Sequence, residues 1–220
     1  MRGKLVVGAV LCLTIHGLAS ASQEPVDAAS KAIEALRRNA PIIRELAGMG
    51  ALDQEMRTRF LALRQNASDE DRRALDGVWA REFEPIDQQH VMRLKALLNG
   101  RGWFTAEQVG DRASAAAFAI VIHSNDVEFQ REALAKMEAL SADQRPSGYA
   151  ILFDRMAVED GRPQRYGTQR PECLDGKHAR PKSIEDPSHL DARRRSAGLQ
   201  PFDEYLALLD KMYGRCSPPA

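Results

Sequence analysis

Four groups of residues in this sequence could do chemistry. They are His123 with Asp126 in HSND, the pair Asp154-Arg155 in AILFDRMAV, the run RPQRYGTQR from Arg162 to Arg170, and the arginines of DARRR from Asp191 to Arg195. An imidazole beside a carboxylate can act as a general base, because the acid fixes which ring nitrogen carries the proton. His123 with Asp126 or Asp154 is therefore the candidate catalytic set. Arg155, Gln164, Tyr166, Thr168, Gln169 and Arg194 offer guanidinium, amide and hydroxyl groups, a set suited to a polar or anionic ligand. Each also has a plainer reading. A histidine at a helix end often serves as a cap, and a strand with a polar face is common at a domain edge. Successive helical residues turn by about 100°, so the three arginines of DARRR cannot all point outward. At least one turns toward the body, with Asp154 as the expected acid.

Other chemistries find little support. His123, Asp126 and Asp154 could be drawn around a divalent ion, but neither HExxH nor paired-cysteine spacing occurs, so no metal is assigned. GxSxG, P-loop and dinucleotide fingerprints are absent from the sequence, which names no cofactor. His90, His178 and His189 are expected to be exposed.

The elements that must position these groups read as mainly α, a helical protein with a β-hairpin in its C-terminal half. Apolar residues from Val26 to Leu46 recur at helical intervals, with Pro41 as an interruption and Gly48 and Gly50 as a stop. Leu52, Met56, Phe60 and Leu63 mark a second helix. Ser68 before Asp69, Glu70 and Asp71 starts a third, which Glu84-Pro85 should kink or follow with a new one. Thr105 with Gln108 forms a capping-box pattern. RASAAAFAIVIHSND reads as the central buried helix, and Asn125 or Asp126 caps the next. After Gly148 the period reads as 2. YAILFDRMAV and PQRYGTQ are then the strands of a hairpin turning at Asp160-Gly161, which sets Asp154 opposite Gly167 and Arg155 opposite Tyr166. The stretch from Arg170 to Pro187 reads as irregular, and PFDEYLALLDKMYG as the last helix.

The N-terminus has the form of an export signal: Arg2 and Lys4, an apolar run from Leu5 to Ile15, then Ala19-Ser20-Ala21. The expected organisation is a signal peptide over 1–21, a helical region over 22–99 and a helical domain with the hairpin over 100–220. The expected location is periplasmic or secreted. Basic and acidic residues both number 31, a balance that gives no electrostatic case for nucleic-acid binding. No membrane span is expected after cleavage of the leader. Cys173 and Cys216 then remain, and an even pair in an exported chain favours a disulfide between them.

Several short motifs together resemble an uncharacterised, mainly bacterial family, a domain of unknown function. They are Gly102-Trp103, His123 with its nearby Asp, Phe129-Gln130, Leu152-Phe153-Asp154-Arg155, Tyr166-Gly167-Thr168-Gln169, and Asp191-Ala192-Arg193-Arg194 leading to Gly198-Leu199. The resemblance spans about Gly102 to Tyr205 and implies a shared domain and candidate positions, but no reaction. Two functions follow as expectations: a module binding a polar small molecule, envelope component or partner, or a small periplasmic hydrolase using His123 with a carboxylate.

Overall fold

A computed structural model of the chain describes residues 23–65, 67–169, 171–181, 183–213 and 216. The expected signal peptide over 1–21 lies outside the described residues. The architecture is mainly helical with one small antiparallel hairpin in the C-terminal half, as the sequence predicts, although the hairpin falls elsewhere.

Helix α1 runs unbroken from Gln23 to Gln65, through Pro41 and both glycines that read as a stop. Gly50 is a packing residue. A Cβ there would lie 2.4 Å from Cβ of Ala116, so α1 and the central helix approach through a site that only glycine fits. Leu46, Asp53 and Met56 are buried along the same stripe of α1, whereas Val26 and Ile33 at its start are exposed.

Helix α2, Asp69–Val78, is capped as predicted by the Ser68 hydroxyl, which accepts from the Asp71 amide at 3.2 Å. A single π-helical turn, Trp79–Phe83, joins it to α3, Glu84–Leu98, and Pro85 occupies the first turn of α3. That bulge holds the Trp79 ring between Phe60 and Phe83, at 4.7 and 5.1 Å. Helix α4, Ala106–Val109, carries the full capping box of Thr105 and Gln108. Helix α5, Asp111–His123, is the central helix and packs on α1, α3 and α4. Helix α6, Val127–Glu138, is capped by the Asp126 carboxylate.

The segment read as the first strand of a hairpin is helix α7, Tyr149–Glu159. Its apolar run is long enough to suit either a core strand or a buried helix, and periodicity alone does not separate the two. Tyr149, Ala150, Leu152, Phe153, Met156 and Ala157 are all buried, a spacing that wraps helically. Asp160-Gly161 ends this helix: Gly161 has φ +68°, and the Arg162 amide donates back to the Ala157 carbonyl at 2.7 Å. The expected facing of Asp154 with Gly167 and of Arg155 with Tyr166 across a ladder therefore falls.

The real hairpin lies in the stretch read as irregular. Strands β1, Glu172–Leu174, and β2, Lys177–Ala179, turn at a second Asp-Gly pair, Asp175 and Gly176, with φ of +52° and +78°. Two residues at positive φ match the twist of a two-residue hairpin loop. Helices α8, Leu190–Ser196, and α9, Phe202–Tyr213, complete the fold. The Cys173–Cys216 disulfide is present and ties β1 to the segment after α9, closing a loop of 43 residues.

One core cluster joins Leu46 of α1 and Leu94 of α3 to Ile120, Phe129, Leu152 and Tyr166. A second, small one consists of Ile184, Leu190 and Phe202. No described helix is long and apolar enough to cross a membrane.

Candidate functional site

Asp154 is fully buried, and its carboxylate organises the YGT loop. It accepts from the amides of Arg165 (2.8 Å), Tyr166 (3.1 Å) and Thr168 (2.8 Å) and from the Thr168 hydroxyl (3.0 Å). A buried charge is tolerated when donors of this kind surround it. Gly167, at φ +69° and with the Phe202 ring 2.7 Å from where a Cβ would sit, lets the loop close over the acid. Gln164 braces the loop from the other side: its amide donates to the Gln169 carbonyl and accepts from the Gln169 amide, at 2.9 and 2.8 Å.

Arg194 is the inward arginine of DARRR, at 1% exposure. Its acceptors are the carbonyls of Tyr166 (2.6 Å) and Gln200 (2.8 Å), and it lies over the rings of Phe202 and Tyr205. The expected pairing with Asp154 is not made, because the loop amides already saturate that carboxylate. Arg155 does not stack on Tyr166 either. Its Nη1 donates to the Ile122 carbonyl at 2.5 Å, and Arg165 covers the Phe153 ring instead.

His123 stands at the C-terminal end of α5, as expected, but its acid is neither Asp126 nor Asp154. Its Nδ1 lies 2.9 Å from Oδ2 of Asp53 on α1. Asp126 is occupied by the Phe129 amide at 2.9 Å and by Lys95 Nζ at 2.6 Å. Nδ1 therefore donates to Asp53, and Nε2 makes no hydrogen bond to a described residue.

Asp53 is 1% exposed and also meets Arg57 (3.2 Å) and the Gln54 amide (2.8 Å). Burial pushes its carboxyl up. The His123 hydrogen bond, the His123 and Arg57 charges and the Gln54 amide outweigh that, and the net value falls below the usual 3.8. A depressed folded value means that this group's stabilisation is fully present above the unfolded value and is lost as pH falls through the folded one. Asp53→Asn should therefore flatten the acid limb of a melting-temperature profile below about pH 4. Parallel acid limbs in the two proteins would contradict the arrangement.

His123 lines an open cleft of about 480 Å³ with Arg57, Trp79, Asp87, Lys95 and Asp126. Arg57 is held bidentately by Asp87 at 2.9 and 3.3 Å and lies over the Trp79 ring at 5.0 Å. His90, expected to be exposed, is buried behind Asp53 and Asp87, and its Nδ1 has no partner among the described residues. Burial lowers its pKa, which favours the neutral ring. His178 binds Asp210, and His189 is exposed and binds Asp186. No group of described residues is arranged to hold a metal ion.

Arg57, Trp79, Asp87 and Lys95 of the cleft, and Asp53 behind His123, are the residues that sequence reasoning misses. One mark was legible: Asp53 falls on the buried stripe of Leu46, Gly50 and Met56, where an unpaired carboxylate would be costly.

The chain is thus a helical protein whose first and fifth helices meet at a histidine–aspartate pair on the wall of an open cleft. It belongs to a family of unknown function (DUF6624), whose pattern matches residues 42–217 and so includes Asp53, His123, Arg155 and both cysteines. No curated protein and no solved structure matches the chain.

Proposed function

We propose that the chain is an exported protein that binds a small polar ligand in the cleft beside His123. One observation carries this reading: a fully buried carboxylate, Asp53, fixes a partly exposed imidazole on the wall of a cleft of about 480 Å³. Trp79 adds an aromatic edge to the cleft, while Glu84, Asp87 and Lys95 offer polar contacts. Export is supported by the leader-like N-terminus and by the disulfide, since such bonds persist in oxidising compartments.

The test is a thermal-shift panel of envelope sugars, short peptides, nucleotides and divalent metals on the oxidised protein. At least one class should raise the melting temperature of the native sequence, and His123→Ala should lose that response while keeping its own transition. Identical responses in both proteins would overturn the reading.

The same pair supports a second reading, general-base hydrolysis. Nε2 would take a proton from water while Asp53 stabilises the imidazolium, a contribution of roughly 10²–10⁴ in rate. Water is the nucleophile of this reading, since Ser124 is buried and its Oγ accepts from the Asp126 amide. Turnover of an ester, phosphoester or glycoside panel that falls in both His123→Ala and Asp53→Asn would select hydrolysis over binding alone.

A further inference from the structure

A second cleft, of about 350 Å³, lies on the other side of the Ser124-Asn125 turn, and both of those residues line both clefts. Its charged wall is Arg155 of α7, with Gln169 and Glu159 beside it. The Arg155 guanidinium is half-buried, and its hydrogen bond is the one to the Ile122 carbonyl. No carboxylate oxygen of a described residue lies within 4.0 Å of it, which separates it from Arg57, Arg93, Arg131, Arg162 and Arg165, each held by an acid. Burial therefore lowers its pKa, and no ion pair with a described residue offsets the cost. A guanidinium carries five N–H donors, and capping α5 uses one of them. Half-buried charges without a counter-ion are costly, and a bound anion removes that cost through a bidentate contact.

We propose that Arg155 is an anion subsite, taking a carboxylate or phosphate group of a ligand whose remainder crosses the Ser124-Asn125 turn to His123. The proposal rests on the ligand reading of the His123 cleft and narrows the ligand to one with an anionic end. The link between the clefts is short, since the carbonyl that orients Arg155 belongs to the residue preceding His123. Asn125 is exposed on the turn, where its side chain can reach a ligand in either cleft. Glu159, exposed at the rim of the same cleft, opposes an anion there.

The test is a nuclear magnetic resonance titration of the oxidised full chain with inorganic phosphate in one arm and succinate in the other. Saturable shifts should appear at the Arg155 side-chain N–H and the Asn125 amide, and the tighter anion identifies phosphate or carboxylate as the preferred group. Arg155→Gln should weaken the affinity by about tenfold or more, and Arg155→Lys by less, because a point charge lacks the planar fork. Because Arg155→Gln also removes the α5 cap, Glu159→Gln on the exposed rim tests the same claim independently, and should tighten binding by about two- to fivefold. The proposal is overturned if neither anion shifts Arg155 saturably, if the shifts persist in Arg155→Gln, or if Glu159→Gln changes nothing. Ligands that depend on His123 but ignore Arg155→Gln would sink this subsite and leave the reading of the first cleft standing.

Discussion

Alanine at Asp154 should destabilise the protein by about 3–5 kcal/mol, more than any other single replacement in the loop it organises. The carboxylate is fully buried and satisfies three amides and one hydroxyl between Arg165 and Thr168. Removing it leaves those donors unpaired in a space that water does not readily enter, at about 1–3 kcal/mol for each donor that stays orphaned. Loop relaxation recovers part of the sum, which is why the expected loss stays below it. The damage should spread, because the Tyr166 carbonyl receives Arg194 and the Tyr166 ring packs edge-on against Phe153. Thr168→Val, which removes only the hydroxyl, should lose about 1 kcal/mol. Urea unfolding of the oxidised proteins checks both. A loss within 1 kcal/mol for Asp154→Ala would mean that the loop is held by other contacts.

Removing the Cys173–Cys216 bond is the second large effect. Its loop of 43 residues corresponds to roughly 4 kcal/mol of denatured-state entropy in the chain-constraint model. For a protein of this size that is a fall in melting temperature of roughly 10 °C. The bond matters because the region it fastens has little core of its own: Ile184, Leu190 and Phe202 form a cluster apart from the main one. The hairpin reaches α9 through polar contacts, with the His178 amide and Nδ1 both bonded to Asp210. Calorimetry of the oxidised protein and of Cys173→Ser/Cys216→Ser should show the shift. Fluorescence from Trp103, which sits in the main cluster, read in a Trp79→Phe background, should change after the hairpin signals in the reduced protein. Coincident, unshifted transitions would contradict this.

The sequence was most legible where short-range chemistry decides. Ser68, Thr105 with Gln108, and Asp126 announce helix starts through side chains that bond amides three residues on, and each does so. That at least one arginine of DARRR turns inward followed from helical geometry, and the disulfide from the even cysteine count with the expected export. Failure came where a residue's role is set by a distant neighbour. Gly50 reads as a stop until Ala116 is placed against it. Asp160-Gly161 and Asp175-Gly176 are the same dipeptide, yet one ends a helix and the other turns a hairpin, because only tertiary burial settles whether YAILFDRMAV is helix or strand. The site suffered in the same way. His123 was visible at its helix end, but the acid that orients it lies 70 residues earlier, on a helix the sequence appeared to break near that point. The polar loop residues looked like ligand contacts because they carry many donors. In the fold, Gln164, Thr168 and Arg194 spend those donors on the loop itself, and Arg155 keeps some for its cleft.

The central claim is that Asp53 holds His123 by Nδ1 and leaves Nε2 facing the cleft. Nitrogen-15 spectra of the His123 ring at about pH 9, where an ordinary imidazole is neutral, read this directly. The account predicts a ring protonated on Nδ1 in the native sequence, changing toward the Nε2-protonated form in Asp53→Asn. A native ring already protonated on Nε2, or one that ignores Asp53→Asn, would contradict it.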